Sequence, residues 1–304
     1  KFMDVSIIIV NYKTACLLAN AVESIFDKTT GVDFEVIVVD NASGDDCGSL
    51  LARKFKGRVT YVGLNENIGF GRANNEGARL AKGRNLFFLN PDTILLNNAV
   101  KLLSNYLDAH SGTGACGGNL YDEKMSPAHS LIRLFPSVAY ELDSLLGGYP
   151  LKLKYGRNYQ FNHSGKPLDV AYTLGADLMV KRAVWDQTEG FDKRFFMFFE
   201  ETDLCFRIRK NGWEIKSVPT AEIQHLESKS FADTVDENRI FLFETGRKIF
   251  YTIHYSQGYR KVADVLYGWS IDIHLFLTKC LSNKRGHTFW KMKKNAFNIV
   301  KSMS

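Results

Sequence analysis

The chain has 304 residues, 45% hydrophobic, 13% aromatic and 24% charged, with 39 Lys and Arg against 33 Asp and Glu and a net charge of +6. That balance excludes disordered, collagen-like and disulfide-scaffold classes, and the length suffices to bury a large core. Length alone allows two domains or one large α/β domain with an appendage. A charge of +6 is open to a nucleic-acid surface, a membrane surface or neither.

Cys16, Cys47, Cys116, Cys205 and Cys280 form no C-x-x-C pair, and so read as reduced thiols of a cytoplasmic protein. Strand-like sequence begins at Asp4, which leaves no signal peptide in the visible chain. There is also no uncharged apolar run of about 18 residues to span a bilayer.

Val5 to Val10 is a β-branched run, the pattern of a strand buried on both faces. Leu17, Leu18, Ala21, Val22 and Ile25 have helical spacing, predicting a helix from Thr14 to Phe26. Strands are predicted at Phe34–Val39, Val59–Val62 and Asn85–Leu89, and helices at Gly71–Leu80 and Asn97–His110. This alternation implies an α/β fold with a mostly parallel, Rossmann-like sheet covered by helices on both faces. Polar residues cluster just past the strand ends, at Asn11-Tyr12, Asp40, Asn65–Gly71 and Asn90-x-Asp92, where open α/β sheets bind ligands. From Leu120 to Pro167 the alternation stops, as in a variable insertion, and resumes at Val170–Val180. Leu204–Lys210 reads as a helix closed by Asn211-Gly212. After Asn238 the chain is helical: Val262, Leu266, Trp269, Ile273, Leu277 and Leu281 mark one amphipathic helix, and Thr288–Met303 a second.

The turn Asn11-Tyr12-Lys13-Thr14 has no glycine, which disfavours a dinucleotide fingerprint or phosphate loop. Asn90-x-Asp92 fits either a ligand for a hard divalent cation or a plain turn and helix cap. Glu200, Glu201 and Asp203 follow an aromatic run. They suit a helix N-terminus, and equally a carboxylate group in which one member has the raised pKa of a general base. His225, at a strand end, is structural or a ligand. Neither H-E-x-x-H nor G-x-S-x-G occurs, so hydrolase templates gain no support.

In order along the chain stand Ser6-Ile-Ile-Ile-Val-Asn11-Tyr12, Val38-Val-Asp40-Asn41-x-Ser43, Asn65-x-Asn67-x-Gly69-Phe70-Gly71-x-x-Asn74 and Asn90-Pro-Asp92-Thr93. Ser130-x-x-Arg133-x-Phe135-Pro136, Gly175-Ala-Asp177, Gly190-Phe-Asp192-x-x-Phe195-Phe196, Phe199-Glu200-Glu201-x-Asp203-Leu204-Cys205-x-Arg207 and Pro219-x-Ala221-x-Ile223-x-His225 follow. Together, from Asp4 to Ser230, they resemble glycosyltransferase family 2, the inverting GT-A group, and most closely bacterial rhamnosyltransferases of cell-surface polysaccharide assembly. The resemblance implies a GT-A catalytic domain over residues 1–237, split into a nucleotide-binding half (1–118) and an acceptor and catalytic half (119–237). A helical, basic extension would follow at 238–304. It further implies that Asp40 reads a pyrimidine base and, with Asn11, holds the nucleoside. Asn67, Asn74 and Asn90 would contact the nucleotide, while Asp92 and His225 would hold Mg²⁺ or Mn²⁺. Asp177 and Arg133 would serve the donor or acceptor sugar. Glu201 aligns with the catalytic base, with Glu200 and Asp203 beside it. Two departures stand out: Glu201 where most members have Asp, and Asn90 where Asp is common.

The resemblance implies a sugar transfer from a dTDP- or UDP-sugar, dTDP-rhamnose foremost, to a glycan or polyprenyl-diphosphate-linked acceptor. A nucleotidyltransferase, releasing pyrophosphate, and a non-catalytic carbohydrate-binding subunit are the alternatives. Lys279, Lys284, Arg285, Lys291, Lys293, Lys294 and Lys301 meet no carboxylate after Asp272, which leaves residues 1–272 at −1. The basic excess thus belongs to the tail and not to a nucleic-acid-binding body. With Phe289 and Trp290 on its apolar face, that tail predicts a cytoplasmic enzyme held peripherally at the anionic inner face of the plasma membrane, docking onto the protein itself or a partner subunit being the other reading.

Overall fold

The computed structural model describes residues 3–226 and 236–303. In chain order the first elements are β1 (Val5–Asn11), α1 (Ala15–Lys28), β2 (Phe34–Asp40), α2 (Cys47–Phe55), β3 (Val59–Gly63), α3 (Phe70–Leu80), β4 (Asn85–Leu89), β5 (Thr93–Leu95), α4 (Ala99–Ala109), β6 (Thr113–Tyr121) and β7 (Leu131–Ile132). Then come α5 (Val138–Leu145), α6 (Tyr149–Tyr155), β8 (Leu168–Asp169), β9 (Tyr172–Thr173), β10 (Asp177–Lys181), α7 (Arg182–Thr188), α8 (Glu200–Lys210) and β11 (Glu214–His225). The chain closes on α9 (Glu237–His254), α10 (Gln257–Cys280) and α11 (Lys284–Ser302). These fall into two compact units: residues 3–133, 160–196 and 200–226 form an α/β unit, and 134–159, 197–199 and 236–303 a helical one.

The α/β unit is built on a nine-stranded sheet ordered β3-β2-β1-β4-β10-β6-β11-β5, with β8 also on β11. Strands β3, β2, β1, β4, β6 and β11 run one way and β10, β5 and β8 the other, so the sheet is mostly parallel. Strand β1 is buried along its whole length. Its Ile7 and Ile9 join Leu18, Val22 and Ile25 of α1 in one layer. On the other face Val10 packs with Ala73 of α3, and Ile8 lies so close to Gly77 that a Cβ there would meet Ile8 Cγ2 at 2.5 Å. Each such side chain contributes about 1.5–3 kcal/mol by leaving water. A parallel register then brings the strand ends level, Asn11 opposite Asp40 and Asp40 opposite Gly63. Strand β10 runs backwards beside β4, setting Asp177 against Leu89 at the same edge. Strand β11 ends there too, with His225 opposite Thr93.

Several elements depart from the sequence expectation. The stretch 120–167 contains two helices, α5 and α6, besides the end of β6. Helix α2 and the glycine-rich strand β6 lack a periodic signal, while α9 falls in the stretch expected to be helical. Asp92 caps no helix; it leads into β5, and α4 starts after Asn98.

In the helical unit Arg247 is buried among aromatic rings. It donates to Glu141 Oε1 through Nε (3.1 Å) and Nη2 (2.9 Å) and to Asp264 through Nη1 (2.8 Å), which ties α9 to α5 and α10. The tail helix α11 corrects the expectation of an outward aromatic face. Phe289 and Trp290 are half-buried, with Trp290 stacked on His274 at 4.1 Å. Phe297 is buried against Tyr267, and Lys293 is folded over Glu244. The apolar face that points to solvent belongs instead to α10, where Val262, Trp269, Ile273 and Leu277 are exposed, as is Leu281 just after it. A helical wheel locates a stripe but does not say on which side the rest of the unit lies.

Candidate active site

At the end of β1, Asn11 is fully buried, and its Nδ2 donates to Asp40 Oδ1 at 2.8 Å, Ser43 Oγ at 2.9 Å and Asp45 Oδ1 at 3.1 Å. Ser43 also donates to Asp40 Oδ1, and the Tyr61 hydroxyl reaches Asp40 Oδ2 at 3.4 Å. Asn11 thus positions Asp40 from beneath the surface. Asp40 Oδ2, with one long contact, keeps acceptor capacity for an N–H of a base. Ser43, Asp45 and Tyr61 carry no role in the sequence reading, although the turn Asp40–Asp45 was visible there.

The adjoining loop is ordered by its own side chains. Asn41 donates to Asn67 Oδ1 at 2.8 Å, the same oxygen accepts from Gly69 N at 3.0 Å, and Asn41 Oδ1 accepts from Ile68 N at 3.0 Å. Gly69 has φ +91°, and a Cβ there would stand 2.4 Å from the Phe196 carbonyl oxygen, which accepts the Phe70 N–H at 2.9 Å. Asn67 is half-buried at this loop, whereas Asn74 is buried and donates to Phe70 O at 3.1 Å.

Asn90, half-buried, is pinned at the end of β4 by its N–H to Ala176 O. Two residues on, Asp92 Oδ1 lies 3.3 Å from His225 Nε2, both side chains largely but not wholly covered. Ligands at about 2.1 Å around an octahedral cation stand about 3.0 Å apart along an edge. The two donors therefore fit a shared divalent ion, and an oxygen–imidazole pair suits Mn²⁺ at least as well as Mg²⁺. A second cluster, Asp40, Asp45 and Cys47, is the group of three ligand-type side chains found among the described residues. Its donor set fits a metal poorly. The Cys47 thiol is pushed up to about 12, by burial first and then by the charges of Asp40 and Asp45, and the thiolate is the metal ligand. Both carboxylates are already accepting hydrogen bonds.

Asp177 has no exposed surface; its Oδ2 accepts Gly118 N at 2.6 Å, while Oδ1 has no partner. Burial holds its carboxyl well above the usual carboxylate range, and its Oδ2 props the backbone at Gly118 from beneath the surface. Arg133, after β7, donates to Asp169 O at 3.3 Å.

Helix α8 opens with the acidic run, four residues earlier than its apolar spacing suggested. Its carboxylates are sorted by their neighbours. Asp203 is fully buried and paired with Arg207, whose Nη2 also donates to Gly190 O. Glu200 is buried against Gly71 of α3, where a Cβ would lie 3.3 Å from its own. Glu201 is half-buried and lies over Gly175, two residues from Asp177, with Thr202 Oγ1 donating to Oε1 at 3.3 Å. Burial raises both glutamates above the ordinary value, Glu200 further through the charge of Glu201. The arrangement offers one reachable carboxylate of raised pKa at the edge that carries Asp40, Asn90, Asp92 and His225.

The sequence profile described as Glycosyl transferase family 2 matches residues 6–165. The low-salt glycan biosynthesis hexosyltransferase Agl10 of Haloferax volcanii is 25% identical over 232 residues, covering 73% of this chain and 67% of that protein. An N-acetylglucosaminyl-diphospho-decaprenol L-rhamnosyltransferase of Mycobacterium tuberculosis is 26% identical over 210 residues, 64% of this chain and 67% of its own length. Among solved structures, the mannosyltransferase PcManGT of Pyrobaculum calidifontis, in complex with GDP-Man and Mn²⁺, superposes with a TM-score of 0.61 at 15% identity, over 98% of this chain and 85% of that one. TarS 1–349 of S. aureus gives 0.54 at 13% identity, over 98% and 91%. The last two likenesses concern the fold.

Proposed function

The chain belongs to glycosyl transferase family 2, and on that premise we propose that it transfers L-rhamnose from dTDP-rhamnose, with inversion, to a hydroxyl of a lipid-linked glycan. It is a glycosyltransferase of glycan or polysaccharide biosynthesis. Support for the finer reading comes from the mycobacterial relative, an N-acetylglucosaminyl-diphospho-decaprenol L-rhamnosyltransferase.

The observation that carries the mechanism is the sorting of the acids on α8. Asp203 is committed to Arg207 and Glu200 to the wall at Gly71, which leaves Glu201 within reach of substrate. Glu201 takes the proton of the acceptor hydroxyl as its oxygen bonds to the anomeric carbon. The bond from that carbon to the diphosphate oxygen breaks on the opposite face, and the nucleoside diphosphate leaves with the electron pair. A pKa raised towards neutrality suits a group that must both accept and release this proton. Asp40 receives the base N–H on Oδ2, held in place by Asn11 and Ser43, and Asn67 and Asn90 line the nucleotide's path. Asp92 and His225 would hold a divalent cation, which when bound neutralises charge on the leaving diphosphate. Asp177 and Asn74 act as supports, through Gly118 and Phe70 respectively.

Purified protein given a panel of dTDP-rhamnose, UDP-sugars and GDP-mannose should release dTDP from dTDP-rhamnose, and that donor should bind most tightly by calorimetry. Pyrophosphate release, or no binding of any nucleotide sugar, would overturn the reading.

A further inference from the structure

The outward face of α10 is apolar over most of its length and is left exposed by the described residues of its unit. Val262, Val265, Trp269, Ile273, Phe276 and Leu277 are all exposed, Trp269 by 57% and Phe276 by 66%. At 100° per residue these six fall within about 120° of arc, a stripe about 22 Å long. Its opposite side is anchored, with Ala263, Tyr267, Ser270 and Ile271 buried. Lys261 and Lys279 border the stripe, and Asp272 on that border is neutralised by Lys294 at 2.5 Å. Exposed apolar surface of this extent marks an interaction site.

We propose that this face of α10 docks onto an anionic lipid bilayer, lying in the headgroup region and not crossing it. No described helix is long and apolar enough to cross a membrane. Charge selects the occupant. The described residues of the helical unit hold 15 Lys and Arg against 7 Asp and Glu, a net +8. Between Asp143 and Asp169 the sequence has no carboxylate, and α6 there exposes Tyr149 and Leu153 beside Lys152 and Lys154. A second copy would bring two such basic rims together, whereas an anionic surface neutralises them. Trp269 in mid-stripe is the side chain best suited to the interface, an apolar ring with one N–H. The helix is already folded and held from behind, so binding needs no coil-to-helix transition. Its test needs neither donor nor acceptor.

The test is cosedimentation of the full chain with vesicles of phosphatidylcholine alone and of equimolar phosphatidylcholine and phosphatidylglycerol. Binding should be confined to the anionic vesicles, weaken with salt, and leave the far-ultraviolet circular dichroism unchanged. The double substitution Trp269→Ala, Phe276→Ala removes two large exposed side chains without touching the packed side, and should weaken binding by about thirtyfold or more at unchanged Tm. Equal binding to both vesicles, no binding, or a double variant that binds like the wild type would overturn the proposal. A soluble dimer split by the same substitutions, with no vesicle binding, would overturn it in favour of a second copy.

Discussion

Gly69→Ala probes how the nucleotide loop is locked to the segment ahead of α8. With φ +91° and ψ 162°, Gly69 occupies backbone space that is essentially glycine's alone, and forcing an L-residue into it costs about 1–3 kcal/mol. The new methyl would also stand 2.4 Å from the Phe196 oxygen and 2.9 Å from its Cα, both backbone atoms that cannot turn aside. Relief requires the two strands of chain to part, losing the Phe70 N–H bond to Phe196, worth about 0.5–1.5 kcal/mol. The sum is about 2–4 kcal/mol, which for a unit of this size lowers Tm by about 5–15 °C. Differential scanning calorimetry of the purified variant measures it, with donor affinity read by titration calorimetry. A Tm within a degree of the wild type, at unchanged donor affinity, would refute the claim that this close approach holds the loop.

Other consequences follow from the buried acids and the cation donors. Asp177 titrates in the folded state above its unfolded value of 3.8; its stabilising effect is complete below that pH and is lost as pH rises through the folded value. Asp177→Asn keeps an acceptor for Gly118 N and removes the ionisable group, so the fall in stability with rising pH should be smaller in the variant than in the wild type, read by urea titration at a series of pH values; an identical pH dependence in the two proteins contradicts the raised Asp177 carboxyl. Because burial raises Glu201, the acid limb of kcat/KM should lie above the ordinary glutamate value of 4.5, activity rising with pH through it, and a limb at or below 4.5 would count against the base. A divalent cation contributes several kcal/mol of charge stabilisation, so Asp92→Ala, His225→Ala or exhaustive chelation should each cut turnover about 100-fold or more. Restoration by Mn²⁺ should follow for the chelated enzyme alone, and full activity after chelation would assign the pair another task.

Much of the fold was readable because parallel strands buried on both faces leave long β-branched runs, as at Val5–Val10 and Phe34–Val39. What escaped was decided by packing. Strand β6 carries three glycines of little strand propensity, yet Gly118 approaches the Ala221 carbonyl so closely that a Cβ would stand 2.5 Å away; the partner demands glycine, and no local pattern reports that. Helix α2 buries a single short stripe, Cys47, Leu51 and Phe55, too brief to stand out. At the site, the strand-end position of Asn11, Asp40, Asn90 and Asp92 was legible from topology alone. Which residues touch a ligand and which prop them was not, since that depends on burial: Asn11, Asn74, Asp177 and Asp203 lie beneath the surface. The choice among the α8 acids likewise waits on Gly71, Gly175 and Arg207, all distant or downstream in sequence.

The central claim is that Glu201 is the base. Glu201→Gln keeps size and hydrogen-bonding while removing the proton acceptor, and should lower kcat by about 10²–10⁴-fold. Measured beside Glu200→Gln, with dTDP-rhamnose affinity followed by calorimetry, the account predicts that loss in the Glu201 variant alone at unchanged donor Kd. A Glu201→Gln enzyme within a few-fold of wild type, or one that loses activity only because the donor no longer binds, would contradict it.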